Sequence, residues 1–143
     1  MVGLYWEDWE IGKEYVSPSR PITEADIVHF AGISGDYNPL HINEEYCKKT
    51  IFGTRIAHGP LVYSIAAGLL FQLHLYDDTL IAFLGFDSLK FTKHVIAGDT
   101  ITAKISVIEK RETSKVDRGV MKRNLKVYNQ KNEMVQDAVQ AFL

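Results

Sequence analysis

Two kinds of apolar spacing divide this chain. From residue 60 the sequence runs Leu61, Val62, Tyr63, Ser64, Ile65, Ala66, Ala67, Gly68, Leu69, Leu70, Phe71, interrupted by Gln72 and His74 before Leu75. A helix over 60–75 would be apolar on nearly every side, so it has to be enclosed. The run falls short of the ~20 residues a membrane span requires, which favours enclosure by protein. Its small residues Ala66, Ala67 and Gly68 leave room for close approach by a sheet or a second helix. After Asp77-Asp78 the spacing becomes that of strands. Segments 80–93, 100–110, 116–129 and 134–143 are rich in β-branched and aromatic residues, with alternation clearest at Ile101, Ala103, Ile105 and Val107. Gly98-Asp99 and the stretch 129–132 supply turns between them.

The first third is punctuated by caps. Residues 13–20 read as a short strand closed off by Pro18 and Pro21. Thr23 is a helix N-cap with Glu24 and Asp26 in the first turn, and Ile27, Val28, Phe30 and Ala31 carry the apolar positions out to Ile33. Gly35 ends that helix and leaves Asp36 just beyond it. Asn43 caps a second, short helix with Glu44, Glu45, Cys47 and Lys48, broken at Gly53-Thr54. Helices followed by a run of strands specify an α+β domain with an antiparallel sheet. The 143 residues fit a single domain, 1–143, able to bury its own core.

Composition narrows the partners. Sixteen Lys and Arg against eighteen Asp and Glu give a net charge of -2, which offers nucleic acid no electrostatic attraction. Cys47 is the only cysteine, so no intramolecular disulfide can form, and a buried, inert thiol is the expectation. The N-terminal residues lack the basic and apolar regions of a signal peptide, and a cytoplasmic protein is expected. The five histidines show no zinc-ligand spacing and no phosphate-binding glycine loop follows a strand, so neither a metal nor a bound nucleotide is expected.

Candidate chemistry sits in Gly35-Asp36-Tyr37-Asn38-Pro39-Leu40-His41 and in Arg55-Ile56-Ala57-His58-Gly59-Pro60. A carboxylate and an imidazole joined by a turn can hold a water and shuttle its protons, general acid-base assistance worth roughly 10²- to 10⁴-fold. Asp36 and Asn38 are equally good turn formers before Pro39, with His41 an ordinary loop residue. Gly59-Pro60 marks a helix start whose free N-H groups can hold a developing oxyanion; bare helix-start geometry is the other reading. Lys90, Lys93, Lys104 and Arg55 are candidates for contact with an anionic cofactor's phosphates or, as is commoner, solvated surface charges.

These two segments, extended by Phe52-Gly53-Thr54 before Arg55 and by Leu89-Lys90-Phe91 and Val95-Ile96-Ala97-Gly98-Asp99, resemble the MaoC-like, (R)-specific enoyl-CoA hydratases and dehydratases from about residue 23 to 110. The resemblance implies a hot-dog fold, an antiparallel sheet wrapped around a long central helix, and a homodimer or higher homo-oligomer with active sites near the subunit interface. It implies that Asp36 and His41 are catalytic, that the Gly59 N-H binds the thioester carbonyl, and that Asn38 and His58 support them. The implied reaction is reversible syn addition of water to a trans-2-enoyl-CoA, with CoA part of the substrate and no separate cofactor. Residues 43–55 correspond to the overhang that shapes the acyl pocket. The alternatives are a hot-dog thioesterase, disfavoured because 60–75 contains no Asp or Glu, and a non-catalytic acyl-CoA-binding module, disfavoured by the presence of both Asp36 and His41.

Overall fold

Alternation in the second half becomes a sheet because one side of each strand can be buried on a helix. The computed structural model describes residues 2–143. After a 3-10 turn at Trp6–Asp8 come β1 (Glu14–Pro21), α1 (Glu24–Ser34), α2 (Pro39–Ile42), α3 (Glu44–Cys47) and α4 (Gly59–Phe71). The chain then forms β2 (Phe83–Phe91), β3 (Thr100–Glu112), β4 (Gly119–Tyr128) and β5 (Met134–Phe142). These strands make one sheet in the order β1-β3-β4-β5-β2, with every neighbouring pair antiparallel.

Ile101, Ala103, Ile105 and Val107 of β3 are buried together with Leu125 and Val127 of β4, on the layer that also buries Leu61, Val62, Ala66, Leu69 and Leu70 of α4. Helix α4 lies mainly against β3 and β1. Each fully buried Leu, Ile or Val contributes about 1.5–3 kcal/mol relative to exposure, so this layer supplies most of the folding drive. The sheet curling over α4 is the hot-dog arrangement, an α+β fold. Among the described residues, no helix is long and apolar enough to cross a membrane.

Local signals place the ends. The Thr23 hydroxyl accepts the Asp26 N-H at 3.0 Å while the Asp26 carboxylate accepts the Thr23 N-H at 2.9 Å, a reciprocal capping box. Gly35 closes α1 in the left-handed region at φ 76°.

Three boundaries differ from expectation. Strand β1 continues through Pro18, because it is an edge strand with a register shift between Val16 and Ser19. There the Ser17 hydroxyl takes the Ala103 N-H at 2.9 Å. Helix α4 stops at Phe71, short of Leu75, since His74 adopts φ 56° and the carbonyls of Leu75 and Asp77 accept N-H groups of Leu4 and Gly3. His41 lies on the short helix α2, which the sequence reading did not resolve from the loop.

Candidate active site

The acidic arm of the site is a relay of caps. Beyond Gly35, the Asp36 N-H donates to the Ser34 hydroxyl at 3.1 Å, and the Asn38 N-H donates to Asp36 Oδ1 at 3.1 Å. Asn38 in turn caps α2, its Oδ1 accepting the Leu40 N-H at 3.0 Å, with Pro39 at the first helical position. One oxygen of Asp36 is therefore used to hold its own turn. Its other oxygen, Oδ2, points to His41 Nε2 at 3.7 Å.

That separation exceeds a direct hydrogen bond. It lets a single water oxygen sit about 2.8 Å from both groups. His41 is oriented from behind: its Nδ1 lies 2.7 Å from the Ile56 carbonyl. A carbonyl only accepts, so Nδ1 carries the hydrogen in the neutral ring and Nε2 presents its lone pair toward Asp36. The Ile56 N-H returns a bond to the Leu40 carbonyl at 3.0 Å, locking the second motif onto the first.

His58 supports the pair without touching the open cleft. It is 2% exposed, stacks on His41 with ring centroids 3.7 Å apart, and donates from Nε2 to the Asp36 carbonyl oxygen at 3.0 Å. Its Nδ1 is buried without a partner among the described residues. Phe30 closes its other side edge-on at 4.9 Å. Ligand atoms of Asp36, His41 and His58 lie within 4.8 Å of one another, close enough to raise the question of a metal. The two imidazole planes are only 26° apart and stacked, so their lone pairs run side by side instead of converging on one ion. One nitrogen of each ring is also already committed to a carbonyl.

The second arm is the start of α4. The Ala57 N-H donates to the Val95 carbonyl at 2.7 Å, fixing the approach to the helix. His58 is the N-cap residue but its side chain does not cap, and Pro60 has no N-H. The Gly59 N-H consequently has no partner among the described residues and stands at the positive end of the helix dipole. A cleft of about 470 Å³ joins the two arms through His41 and Gly59, walled by Phe52, Ile56, Val62 and Phe91, while Asp36 and Asn38 lie outside its lining. That volume is in the range of small-molecule sites.

Of the other candidate charges, Arg55, Lys93 and Lys104 are engaged, while Lys90 is exposed on β2. Arg55 pairs with Glu24 of α1 at 2.8 Å and Glu44 of α3 at 3.0 Å, so it braces the segment around the site. Lys93 at the cleft rim pairs with Glu133. Lys104 lies over the Tyr128 ring. Cys47 is buried, its thiol donating to the Pro39 and Leu40 carbonyls, and burial pushes its pKa up. One site contributor escaped the sequence reading. Gln136, on β5, lines the cleft and donates to the Gly59 carbonyl at 2.7 Å. The available signal was a pair of glutamines, Gln136 and Gln140, at alternate positions of a strand whose neighbours Ala138 and Phe142 are apolar.

Known proteins place this geometry in a family. The (R)-specific enoyl-CoA hydratase of Rhodospirillum rubrum is 40% identical over 103 residues, covering 72% of this chain and 69% of that one. Protein MaoC of Klebsiella aerogenes is 38% identical over 114 residues, 80% of this chain, which spans only 33% of that longer protein. Among solved structures, one described as a monoamine oxidase regulatory protein from Archaeoglobus fulgius superposes with a TM-score of 0.92 at 39% identity, covering 99% of this chain and 94% of that one. The (R)-hydratase from A. caviae involved in PHA biosynthesis superposes with a TM-score of 0.79 at 28% identity, over 95% of this chain and 97% of that one. The family described as MaoC like domain matches residues 8–129, and with relatives named as hydratases and dehydratases at this identity the chain belongs to the MaoC-like domain family of hydro-lyases.

Proposed function

We propose that this protein is an (R)-specific enoyl-CoA hydratase/dehydratase, a single domain over 1–143 that acts on trans-2-enoyl-CoA thioesters with no cofactor beyond the CoA of the substrate. The observation that carries the reading is the 3.7 Å gap between Asp36 Oδ2 and His41 Nε2, in a site whose cleft also holds the Gly59 helix start. A thioester carbonyl oxygen at the Gly59 N-H would place C2 and C3 of the acyl group toward the pair. Water held between Asp36 and His41 adds its oxygen to C3 while one of the two takes its proton. The π electrons move toward the carbonyl, where the Gly59 N-H and the helix dipole stabilise the enolate-like charge. A proton returned from the pair to C2 completes syn addition, and the reverse sequence expels water.

The exposed apolar residues Phe83, Leu84, Phe86 and Phe91 on the edge strand β2 suit a homodimer, since a bare apolar edge invites pairing. The test is incubation with short and medium trans-2-enoyl-CoA, following loss of the conjugated thioester absorbance with free CoA measured in parallel. Loss of conjugation without CoA release is expected. CoA release would instead indicate a thioesterase, and binding without turnover an acyl-CoA-binding module.

A further inference from the structure

Gln136 and Gln140 are inward-facing amides on β5 with the buried Ala138 between them on the same face, yet their situations differ. The Gln140 amide is used at both ends: its Oε1 accepts Arg123 Nε at 2.9 Å and its Nε2 donates to the Tyr63 hydroxyl at 2.8 Å. Gln136 is 2% exposed and donates from Nε2 to the Gly59 carbonyl at 2.7 Å, while its Oε1 is buried with no partner among the described residues. The carbonyl it meets can only accept, so the NH₂ end must face Gly59 and the oxygen is stranded by that choice. A stranded buried acceptor weakens the fold, and an aliphatic side chain of similar length would fill the same space without it. What the amide provides is its bond to Gly59.

That bond acts on the residue whose N-H is free. Glycine at a helix start has no side chain to fix its peptide planes. Two neighbours do so here. The Phe91 ring lies against its Cα, so close that a Cβ there would meet ring carbons at 2.7–2.8 Å, and Gln136 holds its carbonyl. Phe91 and Gln136 are direct cross-strand partners in the β2–β5 register, so one rung of the sheet grips both the face and the carbonyl of Gly59.

We infer that Gln136 is a positioning residue for the oxyanion donor: its side-chain amide holds the Gly59 carbonyl while Phe91 holds the Cα and the Val62 N-H holds the His58 carbonyl, so that the Gly59 N-H between them keeps one direction in the cleft. The inference rests on the hydratase reading for its catalytic consequence, and its structural half can be measured without substrate.

Gln136→Leu and Gln136→Met remove the clamp and also remove the stranded oxygen. Gln140→Leu, which breaks the neighbouring network, controls for general loss of packing. In the hydration assay the Gln136 variants are expected to lose about tenfold to a hundredfold in kcat with KM changed by less than about threefold, as for a misaimed transition-state donor. Difference infrared spectroscopy of a bound thioester labelled at the carbonyl carbon should show its stretching band moving back toward the free-ligand position in those variants and not in Gln140→Leu. Gln136→Glu should gain activity relative to the unmodified protein as pH falls, because only the protonated carboxyl can donate to the Gly59 carbonyl. Wild-type kcat and an unmoved carbonyl band in the Gln136 variants would overturn the inference, as would equal changes in Gln140→Leu. If the unmodified protein neither hydrates enoyl-CoA nor shifts the carbonyl band, the proposed function fails, and the residual dipolar coupling of the Gly59 N-H, which reads its direction, decides the positioning role by itself. A coupling that changes in Gln136→Leu and not in Gln140→Leu sustains it; equal couplings in the two variants reject it.

Discussion

Replacing Gly59 by alanine tests the cleft most directly, because the perturbation is one methyl group of known position. The backbone there is not in the left-handed region, so alanine introduces no conformational strain, and at a helix start it is the better helix former by up to about 1 kcal/mol. Stability is therefore expected to hold or rise slightly. The methyl, however, would lie 2.7 Å from the nearest Phe91 ring carbon, where ordinary contacts begin near 3.4 Å. Either ring or helix start must yield by the difference, about 0.7 Å. Phe91 is half exposed and can swing, but its ring is part of the cleft wall, and the alternative is to move the free N-H itself. Misplacement approaching 1 Å costs on the order of 10²-fold in rate, so Gly59→Ala should lose about tenfold to a hundredfold in kcat/KM while its melting temperature is maintained. Adding Phe91→Leu, which removes the clashing ring atoms, should recover part of the loss. Enoyl-CoA hydration by Gly59→Ala within twofold of the unmodified protein would refute the claim that this contact and this N-H govern the site.

Asp36→Asn and His41→Ala should each lower hydration by about 10²- to 10⁴-fold with thermal unfolding little changed, and full activity in either would remove the assigned proton relay. Asn38→Ala deletes the cap of α2 and should cost about 1 kcal/mol in urea unfolding, together with a larger fractional loss of kcat, because the same turn carries Asp36 and His41. Unchanged kinetics would show that the cap is dispensable to the pair. Glu44 is held below the usual carboxylate range by hydrogen bonds from the Thr54 side chain and from Arg55. For Asp26, burial pushes the pKa up but hydrogen bonds from Thr23 and Arg20 outweigh it, and the net direction is down. Groups depressed in the folded state stabilise fully above their unfolded pKa near 4 and lose that contribution as pH falls through the folded value. Urea midpoints should accordingly drop below about pH 4, less steeply in the Glu44→Gln, Asp26→Asn double variant; an identical pH slope would refute the assignment.

Much of this molecule was legible before its structure. Thr23, Gly35 and Asn43 mark helix ends because their cues are local: a side chain or a left-handed residue satisfies backbone groups a few positions away. The alternation at Ile101 to Val107 gave the inward face of β3 for the same reason, since side-chain direction follows from strand period alone. Expectations weakened where distant atoms intervene. Nothing near Leu75 announces that Leu4 and Gly3 will take the Leu75 and Asp77 carbonyls, yet those bonds accompany the early end of α4. Pro18 reads as a stop until β1 is known to be an edge.

The sequence by itself determined the residue types of the candidate site and their order, Asp36, His41, His58, Gly59, and the caps that shape the turn between the first two, all interactions of short range. It could not determine that Asp36 Oδ2 and His41 Nε2 stand 3.7 Å apart, that the Ile56 carbonyl selects the His41 tautomer, or that His58 reaches 22 residues back to the Asp36 carbonyl. Nor could it show that Gln136 holds the Gly59 carbonyl from 77 residues away. Those distances arise from sheet register and from the packing of a buried helix, which depend on the sum of many contacts and leave no mark at any single position.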